Sequence, residues 1–235
     1  MADQTFYVVA TPIGNLEDMT LRAVRILGEV DCVLCEDTRE TRKLLQKYEI
    51  KTPTLSFHSQ SSESKFEKVF ELLEEGKSLA LVTDNGTPGI SDPGTELVSR
   101  VREKFPGLSV VTVPGPSAVT AALSISGLPS SDFLFLGFLP HKKGRETLFK
   151  EIAASKRTAV CYESPHRLEK ALESLKTFLE PSRRVVVARE LTKMFEDVVV
   201  GSPEEVALFF TKHPDKVRGE FVIMISGNVF HSPAK

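Results

Sequence analysis

The stretch SLALVTDNGTPGISDPG, residues 78–94, decides the fold. Its apolar part, Ser78 to Thr83, predicts a buried β-strand. The part that follows, Asp84 to Gly94, is a long loop rich in glycine and proline. We name it the second loop. A strand that runs into such a loop is typical of an open α/β sheet, in which ligands bind beyond the carboxyl ends of the strands.

Two more loops of this kind follow predicted strands. The first loop, Thr11–Leu16, comes after an apolar run at 6–10, and the third loop, Pro114–Ala118, comes after one at 108–113. Loops that follow parallel strands meet at one edge, so we expect all three to form one rim. Glycine there lets the backbone approach a ligand, and proline fixes the loop shape. The alternative is three tight turns with no ligand.

Strands and helices alternate through the N-terminal half, which predicts a mostly parallel sheet with helices on both faces. The C-terminal half has two consecutive strands, at 184–188 and 197–200, with no helix between them, which predicts a mixed sheet. Residues 125–131 are rich in Ser, Gly and Pro. We therefore predict an α/β protein with one domain at 1–124, a linker at 125–131 and a second domain at 132–235.

Composition excludes several classes. Among 235 residues, 41% are hydrophobic and 26% charged, which excludes disorder as the main state. No run approaches the ~18 apolar residues of a membrane span, and no secretory signal is visible. The formal net charge of −2 argues against non-specific coating of nucleic acid but permits a local basic patch.

The cysteine and histidine positions argue against a metal site. Cys32 and Cys35 lie in an apolar run, which favours buried thiols over metal or redox use, and with Cys161 they are too few for a disulfide framework. A reducing cytoplasm suits them. The five histidines are scattered along the chain, so no metal ligand set is expected. Phosphate-binding, dinucleotide-binding, zinc-protease and α/β-hydrolase motifs are all missing from the sequence.

Acidic residues next to basic ones follow three other predicted strands. They are Glu36 and Asp37 with Arg39, Glu163 with Arg167, and Glu190 with Lys193. Each set could be a helix cap or a surface ion pair. Their repetition at strand ends favours a site for a polar substrate.

A basic loop, Leu139–Arg145, opens the second half of the chain. It contains Lys142, Lys143 and Arg145 but no acidic residue. It is either a solvated turn or a contact for phosphates, where each cation releases counterions.

Taken in order, these motifs resemble the tetrapyrrole methylase superfamily, the class III S-adenosylmethionine (SAM) methyltransferases, and within it the branch that acts on small-subunit ribosomal RNA. The match runs from about residue 5 to residue 226. The motifs that carry it are Thr11–Leu16, Cys35–Arg39, Asp84–Gly94, Val113–Ala118, Gly137–Pro140, Glu163–Arg167 and Arg189–Lys193.

The resemblance implies a two-domain homodimer in the cytoplasm that binds SAM in the cleft between its domains. It also implies 2′-O-methylation of a cytidine in the decoding region of 16S rRNA, within the small ribosomal subunit, and no membrane partner. Gly86-Thr87-Pro88 matches the Gly-Asp-Pro loop of the superfamily, and threonine there is expected in the RNA-directed branch. The implied cofactor-binding residues are Pro12, Thr87, Ile90, Ser117, Ala118, Tyr162, Leu191 and Gly219.

Methyl transfer to a ribose hydroxyl calls for a general base or a polarising cation, because a protonated hydroxyl is a poor nucleophile. The candidates are Glu163, Glu190 and Lys193, with Asp37 and Asp92 behind them. The expected RNA contacts are Arg39, Arg42, Lys43, Lys142, Lys143 and Arg145. Two rivals remain: a small-molecule tetrapyrrole methylase on the same fold, and a module that binds a nucleotide-like ligand without chemistry.

Overall fold

The computed structural model describes residues 4–58, 61–92 and 94–228. By its internal contacts the chain divides into two compact units, one that ends at Ser117 and one that begins at Ala118. We call them unit 1 and unit 2. In the described part of the chain, no helix combines the length and the apolar character that a membrane crossing requires.

Unit 1 contains a five-stranded sheet in the order β3-β2-β4-β1-β5. All of its strand pairs are parallel, which confirms the prediction of a mostly parallel sheet. Its strands are β1 (Thr5–Val9), β2 (Cys32–Cys35), β3 (Thr54–Ser56), β4 (Leu79–Leu81) and β5 (Ser109–Val113).

Helices cover both faces of this sheet. They are α1 (Leu21–Glu29), α2 (Thr38–Lys47), α3 (Glu63–Glu74) and α4 (Thr95–Lys104). In β2, Val33 packs in the core that includes Leu27 of α1, and Leu34 packs in the core that includes Phe66 of α3. A strand buried on both faces has a continuous apolar sequence, and this is why the runs alone located these strands. Proline is favoured in the first turn of a helix, so the sequence predicts that a helix begins at Pro93, but this residue lies outside the described residues.

Unit 2 contains a second five-stranded sheet, in the order β6-β7-β10-β8-β9. Only β6 and β7 pair in parallel; the other three pairs are antiparallel, which confirms the predicted mixed sheet. Its strands are β6 (Phe133–Phe138), β7 (Thr158–Glu163), β8 (Val185–Arg189), β9 (Asp197–Gly201) and β10 (Phe221–Ile225). Its helices are α5 (Ala118–Ser126), α6 (Arg145–Ala154), α7 (Pro165–Phe178) and α8 (Pro203–Lys212).

Helix α5 groups with unit 2, because it packs against β8 and β10. The contact-based division therefore falls at Ser117, whereas the composition of 125–131 predicts a boundary after this helix. The Ser, Gly and Pro content marks a flexible sequence, but it carries no information on which sheet the preceding helix contacts.

Candidate active site

The three predicted loops meet at the carboxyl edge of the sheet in unit 1. Thr11 and Gly86 exchange a pair of backbone hydrogen bonds, 2.8 Å from Thr11 N to Gly86 O and 3.2 Å in the other direction. The Thr11 hydroxyl also donates to Thr83 O at 2.9 Å. The Thr87 hydroxyl donates to Pro116 O at 3.1 Å. These bonds join the first loop to the second and the second to the third, as the single rim predicted from the sequence requires.

Two glycines permit this close approach. Gly86 has φ +89°, and a Cβ there would lie 3.2 Å from Ile13 Cγ2. A Cβ on Gly115 would lie 3.0 Å from Ala10 Cβ. Larger residues at these positions would push the loops apart. Of the predicted cofactor residues, Pro12, Thr87 and Ser117 thus lie in loops that are tied together, and Ile90 is exposed in the second loop.

An acidic group lies at the same edge, formed by Glu36 after β2 and by Asp84 and Asp92 of the second loop. Burial raises the pKa of Asp92 to about 6, and the charges of Glu36 and Asp84 add to this shift. Burial and the charge of Asp84 also raise the pKa of Glu36. Burial raises the pKa of Asp84, whose Oδ1 accepts a hydrogen bond from Asp37 N at 3.3 Å. Negative charge at this edge is therefore unfavourable, because three neighbouring carboxyl groups have raised pKa values.

Asp37 behaves differently from these three residues. Hydrogen bonds from Arg39 lower the pKa of the Asp37 carboxyl to about 2. Its side chain also accepts from Arg39 N at the start of α2, so it is the N-cap of that helix. Asp37 is therefore a capped and paired carboxylate, which is a weak base.

A second polar cluster lies at one edge of the sheet in unit 2, where β7 and β8 end and β10 begins. Lys193 Nζ donates to Glu190 Oε1 and to Glu220 Oε2, both at 3.0 Å. Glu190 Oε1 also accepts from Glu220 N at 3.0 Å. Tyr162, Leu191 and Gly219, all expected to bind the cofactor, lie at this same edge. The structure thus brings together two of the three expected catalytic residues, and Glu220 joins them.

The charges of this cluster stabilise each other. Burial alone would lower the pKa of Lys193, but the hydrogen bonds to Glu190 and Glu220 outweigh it and the pKa lies above its usual value. Burial alone would raise the pKa of Glu190, but the Lys193 ammonium and the Glu220 N–H outweigh it and this pKa is lowered. Lys193 is therefore a cation at neutral pH and Glu190 a carboxylate.

The third expected catalytic residue, Glu163, is almost completely buried at 1% exposure. Its Oε1 lies 2.6 Å from Arg167 Nη2, and its Oε2 lies 3.9 Å from Arg145 Nη1. Arg167 donates to Leu139 O at 2.8 Å, and Arg145 donates to Pro140 O at 3.1 Å. Glu163 therefore holds the two guanidinium groups that fasten the basic loop to unit 2.

The expected RNA-contacting residues differ in exposure. Lys142 and Lys143 are exposed, whereas Arg145 is only 8% exposed and takes part in fastening the loop. On α2, Arg39, Arg42 and Lys43 are exposed, and two of them have acidic partners: Arg39 with Asp37 and Lys43 with Glu40, both at 2.7 Å.

The three cysteines are buried, as the apolar surroundings of Cys32 and Cys35 predicted. Burial raises the pKa of all three thiols, that of Cys161 to about 12. Such thiols are unreactive at neutral pH.

Sequence reasoning missed two residues of these clusters, Asp84 and Glu220. Asp84 directly follows the apolar run 78–83, and Glu220 directly precedes the apolar run 221–225. Asp84 thus carries the signal that pointed to Glu36, Glu163 and Glu190, a carboxylate directly after an apolar run. Glu220 stands before its run, and it reaches the same edge of the sheet as Glu190 because β10 is antiparallel to β8.

Comparison with known proteins decides the family. Residues 5–207 match the family model for tetrapyrrole (corrin/porphyrin) methylases. The chain belongs to the tetrapyrrole methylase family. Methylases of this family use SAM as the methyl donor, and this member is a methyltransferase.

The relatives identify the branch. The ribosomal RNA small subunit methyltransferase I of Thermotoga maritima is 46% identical over 222 residues, which cover 94% of this chain and 97% of that protein. The protein of that name from Synechocystis sp. is also 46% identical, over 94% of this chain and 78% of its own length. These matches confirm the resemblance found in the motifs.

Solved structures confirm the fold. The methyltransferase CobJ superposes with a TM-score of 0.70 at 18% identity, and the match covers 98% of this chain and 97% of CobJ. At this identity the likeness concerns the fold alone.

The edge of unit 1 suits the methyl donor of this family. SAM is a cation that carries an adenosine, and the acidic group offers Glu36, Asp84 and Asp92, whose repulsion a nearby cation would relieve. Ser91 has φ +60°, so the second loop turns sharply and presents backbone groups next to the exposed apolar side chain of Ile90. The charge and the surface therefore fit the cofactor.

Gly219→Ala tests the polar cluster of unit 2. A Cβ on Gly219 would lie 2.2 Å from Glu190 Cδ, so the Glu190 side chain must move and lose its bonds to Lys193 and Glu220. We expect Gly219→Ala to lower the free energy of unfolding, measured in urea, by about 1–2 kcal/mol more than Gly127→Ala does. Gly127 has φ +67° but no atom within 4 Å of its Cβ position, so it controls for the backbone cost. In a protein that already carries Glu190→Ala, the two glycine variants should lower the free energy of unfolding by the same amount. Equal losses in the protein that keeps Glu190 would contradict the contact between Gly219 and the Glu190 side chain.

Asp92→Asn tests the acidic group through stability. The pKa of Asp92 is about 6 in the folded protein, above the ordinary value that it has in the unfolded chain. The folded state therefore binds the proton more tightly, and this contributes stability at low pH that is lost as the pH rises through 6. Asparagine carries no charge, so it removes the free-energy cost of a half-buried carboxylate above that pH. We expect the variant to melt roughly 1–3 °C higher than the wild type at pH 8, a small shift because Asp92 is only half-buried, and no higher at pH 4. Asp18→Asn, an exposed change of the same charge, is the control. A gain that is equal at both pH values would refute the raised pKa.

Proposed function

We propose that this methyltransferase transfers the methyl group of SAM to the 2′-oxygen of a cytidine in the decoding region of 16S rRNA. The observation that carries the proposal is the 46% identity, over 94% of the chain, to a protein named for methylation of small-subunit ribosomal RNA. Thr87, at the position where the porphyrin-directed branch is expected to have aspartate, supports the RNA-directed assignment.

In this proposal the rim of unit 1 holds the methyl donor. Pro12, Thr87, Ile90 and Ser117 line the rim, together with the acidic group. When bound, SAM supplies a methyl carbon made electrophilic by the adjacent sulfonium. The protein holds the loops in place and so keeps the donor aligned with the substrate oxygen. Such alignment of two reactants can lower a reaction barrier by roughly 7–11 kcal/mol.

The family resemblance predicts four further cofactor-binding residues, Ala118, Tyr162, Leu191 and Gly219. We assign Lys193 of unit 2 the role of a cation for the substrate oxygen. Glu190 and Glu220 hold the ammonium in one position, and its raised pKa keeps it charged. A fixed cation favours the developing negative charge on a ribose oxygen that loses its proton.

The proton itself needs an acceptor. Asp92, with a pKa of about 6, is ionised at neutral pH yet more basic than an ordinary aspartate. This places it nearer the range that suits a general base than Glu190, whose pKa is lowered. Glu163 is enclosed by two arginines, so we assign it the fastening of the basic loop.

RNA contacts in this proposal come from exposed cations. Lys142 and Lys143 extend from the basic loop, and Arg39, Arg42 and Lys43 from α2. Local groups of this kind reconcile an RNA substrate with a net charge of −2. The homodimer, the assembled small subunit as substrate and the cytoplasmic location remain predictions from the family resemblance.

Mapping of methyl groups tests the activity. We expect small ribosomal subunits incubated with the protein and isotope-labelled SAM to gain one 2′-O-methyl cytidine in the decoding region, identified by mass spectrometry of 16S rRNA fragments. Uroporphyrinogen and precorrin, assayed in parallel, should gain no label. Labelled tetrapyrrole with unlabelled RNA would support the small-molecule alternative, and no label in either would favour a binding module.

Lys193→Ala tests the cation. We expect kcat on ribosomal subunits to fall by roughly 10²–10³-fold, because the charge acts on the developing oxyanion, while the Kd for SAM changes little. Lys193→Arg should keep part of the activity. Lys216→Ala is a matched control: this lysine of unit 2 also has an acidic partner, Asp197 at 2.6 Å, outside the cluster. Unchanged turnover in Lys193→Ala would remove Lys193 from the mechanism.

A further inference from the structure

An exposed aromatic ring stands directly before the basic loop. Phe138, the last residue of β6, is 56% exposed. Its ring centroid lies 5.4 Å from that of Tyr162 in an edge-to-face contact, and the Tyr162 ring lies 5.1 Å from Phe135. Phe138 is thus supported on one side by aromatic neighbours and open to solvent on the other.

The backbone fixes the position of this ring. Gly137 has φ +61°, and the register between β6 and β7 shifts between Phe135 and Phe138, so the strand carries an irregularity just before the ring. Leu139, the next residue, is buried at 2% exposure. Irregularities of this kind re-aim a side chain at the end of a strand. The Phe138 ring is exposed, but its backbone is fixed between β6 and the buried Leu139. It therefore loses little conformational entropy when it binds a ligand.

The surroundings of the ring are cationic. Lys142 and Lys143 are exposed in the basic loop, which has no acidic residue. The first two residues of the loop are held, since Arg167 donates to Leu139 O and Arg145 to Pro140 O. The last residue, Arg145, also lies 3.9 Å from Glu163 of β7. The lysines therefore lie on a short segment that starts at the aromatic ring and is anchored to the same unit.

We propose that Phe138, backed by Tyr162, stacks on an unpaired nucleobase of the RNA substrate while Lys142 and Lys143 neutralise the adjacent phosphates. This inference rests on the proposed RNA substrate and specifies how that RNA is recognised. An aromatic face next to cations is the combination that binds single-stranded RNA: the ring accepts any base and the cations follow the backbone. Charge selects this partner over a second copy of the chain, because the core of an interface between identical chains is depleted of charged residues.

Kinetics on small ribosomal subunits with Phe138→Ala test the proposal. Loss of one stacked base should raise KM for the subunits by roughly 5- to 100-fold, while KM for SAM and kcat at saturation stay within about twofold. Phe138→Tyr keeps an aromatic face and should stay near the wild type. Phe138→Leu keeps the apolar volume without the ring and should resemble Phe138→Ala. Phe133→Ala is the matched control, since Phe133 is a 36%-exposed ring at the other end of the same strand.

The salt dependence separates the ring from the lysines. Phe138→Ala should weaken binding without a change in the slope of log affinity against log salt, because the ring is uncharged. Lys142→Ala with Lys143→Ala should reduce both the affinity and the slope. These two patterns together support the proposal.

Three results would overturn it. One is a KM for Phe138→Ala equal to that of the wild type. Another is a Phe138→Leu variant that behaves like the wild type, which would show apolar burial and no stacking. The third is a loss of dimers on sedimentation of Phe138→Ala, which would make the ring a contact between copies. If the wild type methylates rRNA and one of these is seen, only this inference fails; if the wild type does not methylate rRNA, the proposed function fails with it.

Discussion

The reciprocal backbone hydrogen bonds between Thr11 and Gly86 are the constraint on which the site in unit 1 depends. They join two loops that lie 75 residues apart in the chain, and the Thr87 hydroxyl adds the third loop through Pro116 O. Loops tied in this way have already lost much of their conformational freedom before a ligand arrives, so binding does not have to order them. The positive φ of Gly86 and the short distance to Ile13 explain why a glycine stands at the junction.

The charged groups of the two units are arranged in opposite ways. In unit 1, Glu36, Asp84 and Asp92 have raised pKa values and repel each other, an arrangement that a cationic ligand stabilises. In unit 2, Lys193 is held by two carboxylates, so its charge is kept in place. A sulfonium donor suits the first arrangement, and an oxygen that becomes negative during methyl transfer suits the second. The two charge arrangements therefore suit different parts of the proposed reaction.

Most of the fold was predictable because its strands are continuous apolar runs bounded by glycine, proline or charged residues. The predicted strands at 184–188 and 197–200, for example, agree within one residue at each end with β8 and β9. Contacts between distant segments were not predictable. Glu163 looks like an active-site carboxylate in sequence, yet it is buried because Arg145, 18 residues earlier, folds back onto it. Glycine is needed at 219 because its φ is +87° and because the Glu190 side chain lies beside it, and neither feature is visible in the sequence. The contacts of α5 with β8 and β10 follow from the order of the strands in the sheet, which no local pattern encodes.

Hydrogen–deuterium exchange with and without SAM tests the central claim most directly. If the tied loops of unit 1 hold the methyl donor, saturating SAM should slow exchange of the backbone amides in 11–16, 84–92 and 114–118. Strand β9, an edge strand of the sheet in unit 2, should exchange as before. Protection confined to segments outside these three loops, or exchange that is unchanged throughout the chain at saturating SAM, would contradict the account.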